Sequence, residues 1–385
     1  MTTPTPRLKV LTVVGTRPEI IRLSSVIKRL DQHVDHVLVH TGQNYDYELN
    51  EVFFEDLGLR RPDHFLEADT TSLGAVLGSI LVGIERVLLA EAPDAFLVLG
   101  DTNSAITAVI AKRMAIPVFH MEAGNRSFDE NVPEETNRRL VDHVADYNLV
   151  YTEHARRNLL AEGIHPSRIM LTGSPMAEVL AANAAAVAVD DVLVREGLER
   201  GGYFLVSLHR EENVDDDERL RSVLDALRTL SERHELPVLV STHPRTRRRI
   251  DALEPEASRG LVFHKPFGFH DFIRLQADAR AVLSDSGTIS EESSLLRFPA
   301  VTLRDDIERP EALDSGHIIT AGVTTDSIVD AVDMVLALGP HPADVRPPEG
   351  YEVLDTSRRV VSYLRSKTQT HHARLGIRRS AARGN

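Results

Sequence analysis

The chain of 385 residues contains no cysteine. This absence excludes a disulfide framework, a thiolate metal site and a cysteine nucleophile, and it fits a reducing compartment. The N-terminal stretch MTTPTPRLKV lacks the apolar core of a signal peptide. No apolar run in the sequence approaches the roughly 20 residues of a membrane span. We therefore expect a cytoplasmic protein that does not bind a membrane.

Positive charges are outnumbered by negative ones. The chain has 44 Lys and Arg residues and 58 Asp and Glu residues, which gives a formal net charge of -14. This balance argues against a general nucleic-acid partner. The runs RTRRRI and RLGIRRSAAR are exceptions that we interpret as a solvated helix face and a terminal tail. A P-loop, a GxSxG elbow and a GxGxxG fingerprint are all missing, and the His and Asp spacings match no metal-ligand signature. We therefore expect no metal ion.

Short β-rich runs alternate with helical stretches along the whole chain. In the first half these runs are LKVLTVV, DHVLVH, AFLVLG, PVFHM and YNLVY; in the second they are YFLVS, LPVLVS, GLVFH, ARAVLS, PAVTL and GHIIT. Most are continuously apolar, which is typical of parallel strands covered by helices on both faces. The sequence therefore predicts an α/β protein built from βαβ units.

The strand–turn–helix pattern restarts in the middle of the chain, where YFLVSLHRE resembles the opening KVLTVVGTRPE. We predict two doubly wound, Rossmann-like domains, residues 1–175 and 176–353, with a C-terminal helix near 354–385 packing back on the first. Ligands of such folds bind beyond the carboxyl ends of the strands. The expected binding site is a cleft between the two domains.

Acidic residues follow two of the predicted buried strands. Asp101 follows AFLVLG and Glu122 lies in HMEAG, while Glu134 and Glu135 come after Pro133. A carboxylate near a buried strand end costs stability, and a fold tolerates several together where they bind a ligand or move protons. The functional interpretation is acid and base catalysis at a sugar. Helix capping and loop solvation remain the alternative for each acid.

Candidate anion-binding groups follow other strands. Arg17 in GTRPE could clamp an anion, or could pair with a nearby acid such as Glu19. In DSGTISEE, the residues Ser286 to Thr288 resemble a helix start whose backbone N–H groups receive a phosphate, with simple capping as the alternative. One of the acids at Glu291 and Glu292 could accept hydrogen bonds from a ribose diol.

Two histidines, His209 in SLHREEN and His243 in STHPRTR, also follow strands and have an arginine nearby. A single histidine is usually structural, but two such turns favour phosphate contacts or general acid catalysis at neutral pH. Arg309 in ERPEALDSG adds a cation on a predicted loop. Together these features suit a nucleotide diphosphate sugar.

In order along the chain, the motifs GTRPE, GDTNS, HMEAG, VPEETNR, HREEN, THPR, DSGTISEE and ERPE resemble those of the non-hydrolysing UDP-N-acetylglucosamine 2-epimerases. The resemblance covers nearly the whole chain. It implies two Rossmann-like domains of the glycosyltransferase-B type, a homodimer, and no metal or nicotinamide cofactor. It also implies a catalytic group of Asp101, Glu122, Glu134 and His209. The implied UDP-sugar contacts are Arg17, Arg22, Phe272, Ser286, Gly287, Thr288, Glu292 and Arg309, with Phe272 near uracil and Glu292 on the ribose.

The chemistry implied by this resemblance explains why several acids are present. No carbonyl activates the hydrogen at C2 of the sugar, so the family eliminates UDP from C1 as the C2 proton leaves. UDP then adds back to the 2-acetamidoglucal intermediate while a proton arrives at the opposite face of C2. Two faces require two groups that handle protons, and the departing pyrophosphate requires cations and amide donors.

The sugar itself stays open at this stage. The segment between Glu122 and Glu134 is shorter than in well-known members, and TGQNYDYELNEVFFEDLGLRRPD resembles the capsule and O-antigen branch. That branch converts UDP-2-acetamido-2,6-dideoxy-L-talose to UDP-N-acetyl-L-fucosamine. A hydrolysing 2-epimerase, a glycosyltransferase of the same fold and a non-catalytic nucleotide-sugar binding protein remain as alternatives.

Overall fold

A computed structural model describes residues 7–42, 47–129, 132–242, 244–253, 259–340, 342 and 344–377. The chain divides into two compact units. Unit 1 comprises Met1–Ala181 and Val353–Asn385, and unit 2 comprises Ala182–Glu352. The first division, after Ala181, lies within the helix Met176–Val189, which begins directly after the predicted boundary at residue 175.

Unit 1 is built on a seven-stranded sheet in which all the paired strands are parallel. The spatial order is β3-β2-β1-β4-β5-β6-β7. The strands are β1 (Lys9–Val14), β2 (Asp35–His40), β3 (His64–Phe65), β4 (Ala95–Leu99), β5 (Val118–Met121), β6 (Tyr147–Val150) and β7 (Ile169–Leu171). The short edge strands β3 and β7 are not among the runs predicted from sequence.

Helices connect these strands in unit 1. They are α1 (Arg17–His33), α2 (Tyr47–Asp56), α3 (Leu73–Glu91), α4 (Ala108–Arg113), α5 (Pro133–Val144), α6 (Glu153–Ala161) and α7 (Met176–Val189). Short 3-10 turns lie at Asn103–Thr107 and Pro166–Arg168. Apolar side chains of β1, β4 and β5 are buried against α3, α4 and α5 and form much of the core of the unit.

Unit 2 has a six-stranded sheet, also with parallel pairings throughout, in the order β10-β9-β8-β11-β12-β13. Its strands are β8 (Phe204–Leu208), β9 (Val238–Thr242), β10 (Leu261–His264), β11 (Ala281–Ser284), β12 (Ala300–Thr302) and β13 (Ile319–Thr320). Its helices are α8 (Val192–Arg195), α9 (Glu211–Val214), α10 (Asp217–His234), α11 (Pro244–Asp251), α12 (Phe269–Asp278), α13 (Ile289–Leu296), α14 (Pro310–Asp314) and α15 (Thr325–Leu338).

The last helix, α16 (Thr356–Leu375), belongs to unit 1. It packs against α1, and the Arg29 Nε donates a hydrogen bond to the Ser357 Oγ over 2.7 Å. At its other end the rings of Tyr147 and His371 meet, with a 3.2 Å contact between the Tyr147 hydroxyl and the His371 Nδ1. The chain therefore returns to the first unit after completing the second.

Both sheets reverse their direction of growth at one point, as the predicted doubly wound α/β fold requires. In unit 1 the reversal lies between β1 and β4, and in unit 2 it lies between β8 and β11. In open parallel sheets the loops that leave the carboxyl ends of these strands diverge and leave room for a ligand. Functional side chains are therefore expected on these turns in each unit.

Among the described residues, α3 is the one helix long and apolar enough to cross a membrane, judged by length and composition alone. In the most apolar 18-residue segment of this helix, only 28% of the segment is buried. The sequence shows no uninterrupted apolar run of membrane length, because Glu85 and Arg86 interrupt the apolar residues of this helix. Its inner face, with Ile80, Ile84 and Leu88, packs in the core of unit 1, and its other face is exposed.

Candidate active site

Three predicted functional turns meet at one edge of the sheet of unit 1. The GTRPE turn follows β1, Asp101 follows β4, and Glu122 follows β5. Because β1, β4 and β5 are adjacent and parallel, their carboxyl ends bring these turns side by side. Arg17, Asp101 and Glu122 thus belong to neighbouring turns although they lie far apart in sequence.

Glu19 connects the turn after β1 to the turn after β4. Its carboxylate accepts hydrogen bonds from the backbone N–H groups of Gly15 and Thr16, at 2.8 and 2.7 Å, and completes a capping box at the start of α1. It also accepts hydrogen bonds from the hydroxyls of Thr102, at 2.8 Å, and Ser104, at 3.4 Å, in the turn after Asp101. Burial raises the pKa of Glu19 to about 7, although these hydrogen bonds oppose the shift.

Arg17, the first residue of α1, is half-buried, and its guanidinium carbon lies 5.8 Å from the centre of the Phe53 ring. This distance is typical of a cation–π contact. The ring comes from α2, so this contact joins the start of α1 to α2. Sequence reasoning gave no indication of Phe53 as its neighbour.

Arg22 and Glu122 form an ion pair, and both side chains are buried. Arg22 lies on the inner face of α1, and Glu122 lies just past the end of β5 with a φ of 63°. A residue other than glycine in this left-handed region is strained, and such strain is common at functional sites. The structure thus places Arg22, predicted as a substrate contact, directly on a predicted catalytic acid.

Asp101 is also held by an arginine. The Arg138 guanidinium of α5 pairs with the Asp101 carboxylate and, through its other nitrogen, with the Glu135 carboxylate at 2.6 Å. Glu135 in turn accepts a hydrogen bond from the backbone N–H of Ser127 at 3.1 Å. These contacts tie the turn after β4 to the start of α5 and to the loop that follows Glu122.

The two adjacent acids of VPEETNR have different surroundings. Glu135 is 1% exposed and is held by Arg138, Arg139 and Ser127. Glu134 is half-buried on the first turn of α5. The structure thus separates a structural acid at 135 from a more accessible acid at 134, the one predicted to be catalytic.

A buried charged cluster lies under the same edge of the sheet. The His120 ring contacts Asp142, and the Arg126 guanidinium bridges Asp142 and Glu162. Gly124, with a φ of 82°, passes so close to α6 that an added Cβ would lie 2.3 Å from the Ala155 carbonyl oxygen. Sequence reasoning missed the cluster; the one available signal was that His120 precedes Glu122 within HMEAG.

In unit 2, His209 follows β8 and is anchored to the turn after β11. Its Nδ1 lies 2.9 Å from the Asp285 carboxylate, and its backbone N–H donates to the same group at 3.0 Å. Asp285 also accepts the backbone N–H of Arg210 at 2.9 Å. Burial would raise the pKa of Asp285, but the charge and hydrogen bond of His209 and the contacts with Arg210 together hold that pKa below its usual value. The imidazole itself remains 43% exposed.

The turn Ser286–Thr288 follows β11 and leads into α13, as expected for a phosphate-binding helix start. Two of its amides already have partners: the Ser286 N–H donates to the Ser284 Oγ at 3.0 Å and the Thr288 N–H donates to the Ser286 Oγ at 3.3 Å. These partners are rotatable hydroxyls, one at the end of β11 and one in the turn itself. A bound phosphate would therefore compete with them for the amides.

Arg309 closes over this turn and donates a hydrogen bond to the Gly287 carbonyl oxygen. The approach is close, because a Cβ on Gly287 would lie 2.7 Å from an Arg309 guanidinium nitrogen. Glu308, the preceding residue, pairs with Arg304 at 2.6 Å and with Arg210 at 3.2 Å. The ERPE loop, the HREEN turn and the DSGT turn are thus joined in one network.

The remaining predicted contacts have various surroundings. Glu292 is 7% exposed and accepts a hydrogen bond from the Gln276 amide at 2.6 Å. Phe272 is half-buried and packs against a cluster of buried apolar residues in unit 2 that includes Tyr203 and Leu275. His243 lies outside the described residues. Among the residues that the structure describes, none of the His, Asp and Glu groups has the arrangement needed to hold a metal ion.

Comparison with known proteins gives a consistent result. The family described as UDP-N-acetylglucosamine 2-epimerase matches residues 28–365. The solved UDP-N-acetylglucosamine 2-epimerase from Rickettsia bellii is 40% identical and superposes with a TM-score of 0.90 over 97% of this chain and 100% of that one. The Methanocaldococcus jannaschii UDP-GlcNAc 2-epimerase, solved in complex with UDP-GlcNAc and UDP, is 35% identical with a TM-score of 0.87 over 93% and 100%.

A relative that acts on a different sugar is similarly close. The UDP-2,3-diacetamido-2,3-dideoxy-D-glucuronate 2-epimerase of Pseudomonas aeruginosa is 36% identical over 84% of this chain and 91% of its own length. Relatives with similar identity to this chain are therefore all named as 2-epimerases, but their names specify different UDP-sugars.

Proposed function

The chain belongs to the UDP-N-acetylglucosamine 2-epimerase family, and we propose that it inverts C2 of a UDP-2-acetamido sugar, converting UDP-N-acetylglucosamine to UDP-N-acetylmannosamine. The structural observation that carries the proposal is the placement of Asp101 and Glu122 after neighbouring parallel strands. Each acid is fixed by an arginine from a helix of the same unit. Groups that transfer protons must be held in defined positions, and these ion pairs supply that restraint.

In the proposed reaction, a carboxylate removes the C2 proton while the C1–oxygen bond breaks and its electron pair leaves with UDP. The product of this step is a 2-acetamidoglucal. UDP then returns to C1 while a carboxyl group delivers a proton to the opposite face of C2. We assign these two proton transfers to the group Asp101, Glu122 and Glu134, whose side chains come from three different segments of unit 1.

We assign the stabilisation of the departing UDP to cationic and N–H groups. Arg17, His209 and the amides of Ser286 to Thr288 are the candidates for the pyrophosphate. Asp285 supports this role for His209 because it fixes the imidazole through Nδ1. Glu292 and Phe272 are assigned to the ribose and the uracil, and His243 and Arg309 to the phosphates. Arg22 is assigned to the UDP-sugar as well, and its ion pair with Glu122 fixes it beside a proposed catalytic acid.

A second substrate is favoured by a specific observation. The P. aeruginosa relative, at 36% identity, is named for a 2,3-diacetamido-glucuronate sugar. The motif pattern adds the 6-deoxy-L-talose sugar of the capsule branch. All three share a 2-acetamido group and a UDP at C1, so the elimination chemistry applies to each. The preference among them must come from contacts to C3, C5 and C6 of the sugar, where the three differ.

The test is direct incubation of the purified protein with each of the three UDP-sugars, followed by NMR. We expect the C2 epimer to form, still attached to UDP, with one sugar turned over at least about 10-fold faster than the others. Asp101→Asn and Glu122→Gln should lose turnover but keep UDP affinity. Release of free sugar and UDP would instead indicate a hydrolysing 2-epimerase. Turnover only with an added acceptor would indicate a glycosyltransferase.

We further propose that the protein is a cytoplasmic homodimer that needs no metal or nicotinamide. The absence of cysteine supports a reducing compartment. The outer face of α3 exposes Leu73, Val82 and Leu89 at 68, 56 and 67%, and such apolar surface suits a protein contact. Sedimentation should give twice the monomer mass, and Val82→Glu should reduce it. A wild-type monomer at assay concentration would contradict the dimer.

A further inference from the structure

His120 is completely buried on β5 and has an oxygen atom at each ring nitrogen. Its Nδ1 lies 2.9 Å from the Asp142 Oδ1 on α5, and its Nε2 lies 2.7 Å from the Gly100 carbonyl oxygen at the end of β4. Both distances are those of good hydrogen bonds. The ring therefore bridges a helix and the turn that carries Asp101.

Neither of these oxygens can donate a hydrogen. A backbone carbonyl only accepts, and an ionised carboxylate only accepts. The Asp142 oxygens also receive the Gly124 backbone N–H at 3.1 Å and an Arg126 guanidinium N–H at 2.8 Å. A neutral imidazole carries one N–H, so one of its nitrogens would face an oxygen lone pair. Only the imidazolium, with two N–H groups, satisfies both contacts.

The surrounding charges fit an imidazolium. Asp142 on α5 faces His120 and also Arg126, and Arg126 pairs with Glu162 at 2.6 Å. The partly exposed His143 lies 3.2 Å from Glu162 on the solvent side. Burial would raise the pKa of Asp142, but the hydrogen bonds and charges of His120 and Arg126 lower it. Two buried cations are thus matched by two carboxylates.

The ion pair restrains both turns that carry predicted catalytic acids. Gly100 has a φ of 72° and directly precedes Asp101, so the contact from His120 to its carbonyl fixes the direction in which the chain leaves β4. Asp142 holds the Gly124 amide, two residues after Glu122. A small rotation at either point would change the direction of a carboxyl group that the proposed reaction needs in a fixed position.

We propose that His120 carries a hydrogen on both ring nitrogens in the folded protein and, paired with Asp142 and the Gly100 carbonyl, positions Asp101 for proton transfer at C2. His120 is then a positioning residue, because it acts through the Gly100 carbonyl and touches no substrate. Only the role in proton transfer at C2 rests on the proposed function. The protonation state of His120 and its two contacts stand independently of the reaction.

The first test uses wild-type protein labelled with ¹⁵N at histidine. We expect NMR at about pH 8 to show hydrogens on both ring nitrogens of His120, because each nitrogen faces an oxygen that only accepts. His120→Gln identifies the signals by their disappearance. A bare ring nitrogen on His120 at this pH would overturn the proposal, whatever the enzyme's activity.

The second test compares two amides at the same position. His120→Gln can keep a donor near Nε2 for Gly100, and His120→Asn can keep a donor near Nδ1 for Asp142. We expect kcat to fall about 100-fold in His120→Asn and less in His120→Gln, with KM little changed, because misplaced catalytic groups lose rate before binding. Equal losses in both variants, in step with their folded fractions, would show a structural role only. If the wild type shows both N–H groups but no epimerisation, the proposed function fails and the ion pair stands.

Discussion

Arg22 and Glu122 form an ion pair with side chains only 5 and 9% exposed. One comes from the first helix of unit 1 and the other from the turn after β5, a hundred residues later. A buried carboxylate depends on its partner, because removal of the partner leaves an uncompensated charge in a poorly solvated place. The pair therefore connects the stability of unit 1 to the geometry of the predicted catalytic acid.

Arg22→Met should lower the free energy of unfolding by about 3–5 kcal/mol, since Glu122 would remain buried without its partner. Arg22→Lys keeps the positive charge and should lose less. Urea denaturation of the two variants measures the difference. If Arg22→Met proves as stable as Arg22→Lys, Glu122 does not depend on this charge.

Glu134 and Glu135 should separate into a catalytic and a structural acid. Glu135→Gln loses the charge that holds Arg138 and Arg139 and should cost about 3 kcal/mol in stability. Glu134→Gln, at a half-buried position, should change stability by less than about 1 kcal/mol but reduce kcat about 100-fold. Thermal unfolding and turnover on the matched pair check both effects. The opposite pattern would exchange their roles.

Glu19 should make the stability of the protein fall as pH rises towards neutrality. Its pKa is about 7 in the folded protein against 4.5 for a free glutamate, so the folded state holds the proton more tightly. The stabilisation from this group is complete below pH 4.5 and is lost as pH rises through 7, by about 3 kcal/mol in total. Asp142 and Asp285 act in the opposite direction, because their pKa values are lowered.

The difference between wild type and Glu19→Gln isolates this effect. Urea unfolding at a series of pH values should show wild-type stability declining relative to the variant across this window. A constant offset is expected from altered hydrogen bonds, so only the slope is informative. A difference independent of pH would mean that Glu19 does not titrate in this range.

Gly287→Ala should weaken UDP binding by about 10-fold or more. Its added Cβ would meet the Arg309 guanidinium at 2.7 Å and displace the arginine from the turn proposed to bind phosphate. Gly74→Ala is the matched control, because no atom lies within 4 Å of its added Cβ and the residue is helical. Calorimetric titration with UDP measures both. Unchanged UDP affinity in Gly287→Ala would remove Arg309 from the binding site.

The sequence was sufficient to predict the doubly wound α/β architecture and the placement of several candidates. Apolar runs such as AFLVLG and PVFHM specify buried parallel strands, and adjacent strands bring Asp101 and Glu122 to one edge. Strands β3 and β7 were missed because two or three residues give no periodicity.

The partners of the candidate residues could not be predicted. Arg138 reaches Asp101 from 37 residues away and Asp142 reaches His120 from 22 residues away, through contacts that depend on how α5 packs on the sheet. Nothing in VPEETNR distinguishes the buried Glu135 from the more accessible Glu134. These assignments depend on tertiary packing, which local sequence patterns do not encode.

The central claim is that C2 of a UDP-sugar exchanges its proton through elimination and return of UDP. The most direct measurement is NMR of the reaction in D2O without any acceptor. Deuterium should accumulate at C2 in both epimers while UDP stays attached, and Asp101→Asn or Glu122→Gln should abolish its entry. Inversion at C2 without deuterium, or no exchange with any of the three UDP-sugars, would contradict the account.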